Sequence, residues 1–346
     1  MKKKHILIVT LMIGIAEVSA QFGDVKNIKN LTALEKSKGG KSVVFNSESD
    51  KIAANLYLPS NYNKENNYSA IVVVAPQGGL KEQTAGFYAK KLSKKGFISI
   101  AFDHRSYGQS GGAPRHYESP QWKAEDIKNA VSYMGTIAGV NKENIAVLAI
   151  CSGAGYGLMA SVNDARVKAF ATVSGVFNFR ERETGLNDVD NPKQENLDTF
   201  RDKMKQSAIA RQKYFETGVM EYSLLVPDLT ENTGSFWSQG YDYYRTERGF
   251  VNGWENKRSK HSFEARLSTN ATTQYAKQLS DLGIPFLAIA GDKAFTYPFS
   301  QRVIATAIGD KELYTIPNAT HFDLYDNELY VDKAVQKLTL FFKEKI

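Results

Sequence analysis

The stretch N-I-A-V-L-A-I-C-S-G-A-G-Y-G, residues 144–157, decides the fold. Ile145, Ala146, Val147, Leu148, Ala149 and Ile150 form an unbroken apolar run. An alternating strand leaves one face wet; this run does not, so it reads as a strand covered on both faces, as in a parallel sheet. Small residues follow at once, then Leu158, Met159 and Ala160 in a helix-compatible run. A strand that turns sharply into a helix around small-X-nucleophile-X-Gly is a nucleophile elbow. Two registers fit. With Cys151 as nucleophile the flanking small residues are Ala149 and Gly153; with Ser152, the branched side chain of Ile150 would crowd the turn. Sterics favour Cys151. A lone cysteine is as readily a buried packing residue, and it is the elbow around it that favours a chemical role.

Working outward, residues 71–75 and 97–102 are further apolar strands, each followed by a polar, glycine-bearing loop. Residues 41–58 hold two strand-like pieces around Ser47, Ser49 and Asp50, an antiparallel hairpin at a sheet edge. Residues 84–95 and 122–134 have helical spacing, and residues 167–173 are the next strand. This alternation implies right-handed crossovers and a mostly parallel central sheet flanked by helices. Ligand sites in such sheets lie beyond the carboxyl ends of the strands, where Gly78, Gly79, Asp103 and Cys151 all fall. The pattern breaks at 178–279, a polar, aromatic and partly helical stretch, and resumes with strands at 285–290 and 312–316 and a helix at 330–343. The expected organisation is a core of residues 21–177 and 280–346 with a helical cap inserted at 178–279. Tyr241, Tyr243, Tyr244, Phe236 and Trp237 are cap residues placed to line a substrate pocket, or to form the core of the cap itself.

The first twenty residues read as a secretory leader. Lys2, Lys3 and Lys4 precede an apolar core, and Val18-Ser19-Ala20 is a small-residue cleavage site. The expectation is export to the periplasm or medium. The leader is too short for a comfortable membrane span, and no second run of that length occurs, so the protein is not expected to be membrane-embedded. The formal net charge of +7 is dispersed, and the densest lysine group, at 90–95, falls on a helix surface; this argues against nucleic acid as a partner and leaves a small-molecule substrate. Nothing in the sequence calls for a cofactor or a metal. The single cysteine of the chain cannot form an internal disulfide.

A nucleophile at an elbow needs a base, and the base an orienting group. Of five histidines, His321 alone follows the last strand, just before the final helix, and is the candidate base. For the acid, the residue three past Gly291 is Ala294, so Asp292 is the first candidate and Asp323 the alternative. The oxyanion hole is expected from backbone amides of Ser152 and of the loop Gln77, Gly78 and Gly79.

Five stretches carry a family likeness: P-Q-G-G-L-K-E-Q-T at 76–84, F-D-H-R-S-Y-G-Q-S-G-G-A-P at 102–114, A-I-C-S-G-A-G-Y at 149–156, Y-Y-R-T-E-R-G at 243–249 and A-T-H-F-D-L-Y-D at 319–326. On these the chain resembles the α/β-hydrolase superfamily, specifically the dienelactone-hydrolase-like and Xaa-Pro-peptidase-like hydrolases of the YcjY type. The resemblance implies an α/β-hydrolase fold and cleavage of an ester, thioester or lactone through an acyl-enzyme on Cys151 with His321 as base. It also admits a peptidase, an acyltransferase, or a silent ligand-binding protein of the same fold. Two departures stand out: similar proteins begin the elbow with glycine where this chain has Ala149, and the usual acid position holds Ala294.

Overall fold

The computed structural model describes residues 32–187 and 191–346; the expected leader lies outside the described residues. Eight strands form one sheet: β1 (Lys41–Ser47), β2 (Asp50–Tyr57), β3 (Tyr68–Val74), β4 (Ile98–Phe102), β5 (Val140–Ile150), β6 (Val167–Val173), β7 (Phe286–Gly291) and β8 (Lys311–Ile316). Their spatial order is β1-β2-β4-β3-β5-β6-β7-β8. Only β2 runs against its neighbours, pairing antiparallel with β1 and β4; every other pairing is parallel. The edge hairpin and the parallel core are thus where the sequence pattern placed them.

The unbroken apolar runs have the reason inferred for them. In β5, Ala146, Leu148 and Ile150 face one buried layer and Ile145, Val147 and Ala149 the other. Ile71 and Val73 of β3 join the first layer, Val72 and Val74 the second. Helices Thr84–Ser93 and Glu328–Lys345 cover the first face. Helices Pro120–Met134, Gly153–Ser161 and Tyr297–Thr306 cover the second.

Between β6 and β7 the chain leaves the sheet. Helices Phe179–Thr184, Gln194–Thr217 and Ser235–Tyr244 alternate with loops, and a short ribbon pairs Tyr222–Ser223 with Arg258–Ser259. The end of this excursion returns to the core: Ala271, Ala276 and Leu279 pack in the second layer. Among the described residues no helix is long and apolar enough to cross a membrane.

Candidate active site

The elbow is built by backbone geometry. Cys151 sits at φ 55°, in the left-handed region that a residue with a side chain rarely adopts. Ser152 has ordinary helical angles, φ −63° and ψ −22°. The turn is held from both sides: the Cys151 amide donates to the Val173 carbonyl at 3.0 Å, and the Cys151 carbonyl accepts from Val176 at 2.8 Å and Ala154 at 3.0 Å. A Cβ on Gly153 would stand 2.7 Å from the Ala75 carbonyl oxygen, so only glycine fits there. The methyl of Ala149 is accommodated because the residue facing it is Gly157, whose own Cβ would lie 2.9 Å from it.

Cys151 opens into a cleft lined by Gln77, Arg182, Leu225, Phe236, Trp237, Tyr244 and Tyr325, among others. Leu225, Phe236, Trp237 and Tyr244 come from the excursion between β6 and β7. Trp237 and Tyr244 thus line this cleft. Tyr243 does not. It is fully buried, with its ring 4.8 Å from Tyr244 and 5.0 Å from Tyr325. Neighbouring helix positions point about 100° apart, so Tyr244 reaches the cleft and Tyr243 the packing beneath it.

The oxyanion candidates divide. Among the described residues, the backbone N–H groups of Ser152 and Gln77 have no hydrogen-bond partner, and both residues line the cleft. The Gly79 amide is taken by the Pro76 carbonyl at 3.0 Å, which closes the turn and removes it from the set. Gly78, at φ 63°, is covered by the Leu225 side chain. The Gln77 side chain adds a buried Nε2 donor without a partner.

His321 is 1 % exposed. Its Nδ1 lies 2.8 Å from Thr296 Oγ1 and its Nε2 3.1 Å from the Tyr325 hydroxyl, which also faces Cys151. Neither sequence candidate for the acid reaches the ring. Asp292 is exposed and accepts from the Asn318 amide at 2.7 Å, so its carboxylate holds a loop. Asp323 accepts from the amide and hydroxyl of Thr320, at 2.9 and 2.7 Å, so its carboxylate is taken up by the turn that leads into the short helix Asp323–Asp326. A hydroxyl, Thr296, takes the place expected for a carboxylate. Burial, together with the nearby Arg182 guanidinium, pushes the His321 pKa down to about 3, so the ring is neutral near pH 7. The histidines that do carry carboxylates, His104 with Asp126 at 3.3 Å and His116 with Glu255 at 3.4 Å, are not among the residues lining the cleft.

Thr296, Tyr325 and Arg182 are residues that sequence reasoning missed. Tyr325 carries a usable signal, since it lies four residues past His321 and so on the same side of a helical turn. Thr296, two past Ala294, and Arg182, one cation in a polar stretch, carry none.

Beneath the elbow a buried ionic network ties the excursion to the core. Glu183 accepts from Arg258 at 2.9 Å and Arg266 at 3.2 Å. Arg266 also donates to the Tyr156 hydroxyl, which donates to Glu118, and Lys123 donates to Glu118 at 2.6 Å. Burial alone would raise the Glu118 carboxyl, but Lys123 and Arg266 hold it down at about 2.

This sheet order, elbow and loop arrangement define an α/β hydrolase, and the comparisons agree. The model of the alpha/beta hydrolase fold matches residues 71–328, and the chain belongs to that family. It is 32% identical to the uncharacterized protein YcjY of Escherichia coli over 307 residues, 87% of this chain and 96% of that one. The crystal structure of the hypothetical protein PA2218 from Pseudomonas aeruginosa superposes with a TM-score of 0.81 at 29% identity, covering 94% of this chain and 99% of that one. The thiohydrolase aneE of Aspergillus aculeatus is 28% identical over 139 residues, 40% of this chain and 42% of that protein.

Proposed function

We propose that the chain is an exported hydrolase that cleaves a small ester, thioester or lactone through an acyl-enzyme on Cys151. The observation that carries this is the left-handed Cys151 at the strand-to-helix turn, open to a cleft that also presents two unpartnered backbone amides. The Cys151 sulfur attacks the substrate carbonyl carbon, an S–C bond forms, and the carbonyl oxygen takes the charge under the Ser152 and Gln77 N–H groups. The thiol proton passes through the Tyr325 hydroxyl to Nε2 of His321, with Thr296 accepting from Nδ1–H and so fixing the tautomer. Collapse breaks the bond to the leaving alcohol or thiol, which takes the proton back. Water, deprotonated by the same base, then releases the acid and restores the thiol. The name of the thiohydrolase relative supports a thioester among the candidate substrates. The leader expected at residues 1–20 supports export.

The test is hydrolysis of 4-nitrophenyl esters and acyl thioesters by two variants, with intact-mass detection of the adduct. Cys151→Ala should fold and lose turnover and adduct, while Ser152→Ala should keep most activity, because Ser152 contributes its backbone. An active Cys151→Ala beside a dead Ser152→Ala would end the cysteine mechanism.

A further inference from the structure

Arg182 is placed unlike four arginines that the same excursion supplies. Arg245, Arg248, Arg258 and Arg266 each hold a carboxylate. The Arg182 guanidinium has no hydrogen bond or ion pair to any described residue. It stacks 4.8 Å from the Phe236 ring centre and 4.7 Å from that of Trp237, and all three line the cleft beside Cys151. Guanidinium groups stack on aromatic faces while keeping their N–H edge free for a planar oxyanion partner. Glu183, the carboxylate whose charge reaches Arg182, is already held by Arg258 and Arg266, so burying the guanidinium in the cleft carries a desolvation cost that an incoming anion offsets.

We infer that Arg182 is a specificity residue for a carboxylate on the acyl half of the substrate, so that the preferred substrates are half-esters or half-thioesters of small dicarboxylic acids. This rests on Cys151 being the nucleophile. The aromatic pair holds the fork, the substrate carboxylate docks on it, and the scissile carbonyl is left over the elbow. The arrangement also feeds the chemistry. The guanidinium repels a proton on His321; a carboxylate seated on it offsets that repulsion when the ring must take the proton.

The experiment compares alkylation of Cys151 by iodoacetate, an anion, and by iodoacetamide, its neutral isostere, followed by intact mass. In both cases the sulfur bonds to the methylene carbon as the C–I bond breaks and iodide leaves. The ratio of the two rates cancels any change in thiolate content. In Arg182→Gln the iodoacetate-to-iodoacetamide ratio should fall about tenfold from that of the parent, with Arg182→Lys between them. In the parent, glutarate should slow iodoacetamide labelling and raise Tm, and glutaramide should do neither. An unchanged ratio, or equal effects of glutarate and glutaramide, overturns the inference while leaving the cysteine mechanism standing. A thiol inert to both reagents overturns that mechanism; glutarate then decides the anion site by itself, since a Tm rise in the parent that is lost in Arg182→Gln sustains it and no rise refutes it.

Discussion

Replacing Thr296 by valine removes one hydroxyl and keeps the shape of the side chain. Thr296 is 0 % and His321 1 % exposed, so solvent does not reach the gap, and Nδ1 loses its 2.8 Å partner outright. A made hydrogen bond nets about 1 kcal/mol, while a buried group left without one costs about 1–3 kcal/mol. The folded state should therefore lose about 1–3 kcal/mol, read as a lower urea midpoint at unchanged m. The kinetic effect comes from the same bond. Thr296 favours the tautomer with the proton on Nδ1, which is the one that leaves Nε2 free as base. If that preference is worth about 1.4 kcal/mol, the acylation rate falls about tenfold. The assay is the acylation phase with 4-nitrophenyl acetate, beside the urea transition. Thr296→Ser, which restores the hydroxyl, should recover most of both losses. A Thr296→Val protein with the parent's midpoint and acylation rate would refute Thr296 as the group that orients the histidine.

Tyr325→Phe should slow acylation by about tenfold or more, because its hydroxyl lies between Nε2 and Cys151; an equal or faster variant would show that the hydroxyl blocks the base instead of serving it. Gly157→Ala would push a methyl to 2.9 Å from both Ala149 and the Phe170 ring and should cost about 1–3 kcal/mol in urea unfolding. Adding Ala149→Gly should return part of that, and no recovery would mean the two positions do not compete. Acid should destabilise the fold in two steps. His321, held near pKa 3 in the fold against an ordinary 6.5, contributes stability that is complete above pH 6.5 and is lost as pH falls toward 3; burial depresses His104 in the same direction. Glu118, held near 2, adds a loss that begins below its ordinary 4.5. Urea midpoints at pH 7, 5.5 and 4 should therefore fall steadily, with a shallower fall in His321→Gln; midpoints independent of pH over that range would contradict the buried neutral ring.

The strands were legible because burial on both faces forces a distinctive composition. Val167–Val173 was readable to the residue, and the antiparallel edge hairpin was readable from its polar turn. The elbow was legible for a steric reason: the position two before the nucleophile must be small, and the structure shows that pressure where a Cβ at Gly157 would stand 2.9 Å from the Ala149 methyl. The histidine's partner was not legible. A search for the acid looks for a carboxylate at a fixed count past Gly291, and what meets the ring is a hydroxyl brought there by the turn into helix Tyr297–Thr306. Asp292 and Asp323 had suitable chemistry but satisfy local backbone amides, a contact that short polar side chains find readily. Tyr243 failed as a pocket residue because one step along a helix exchanges cleft for core.

The buried ionic chain from Glu183 through Arg266 and Tyr156 to Glu118 makes the excursion between β6 and β7 a poor module for exchange. A chimera that grafts a sister protein's insertion onto this sheet would remove Arg266 and Glu183 and leave Tyr156 and Glu118 facing a foreign surface. Stripping one partner from such a buried network costs about 3–5 kcal/mol, a large part of what a domain has to spare. Substrate range in this chain is therefore more open to change by substitutions along the cleft rim, at Leu225, Phe236 and Trp237, than by recombination of whole segments. Natural relatives that did swap the segment should carry matched changes at 118 and 156.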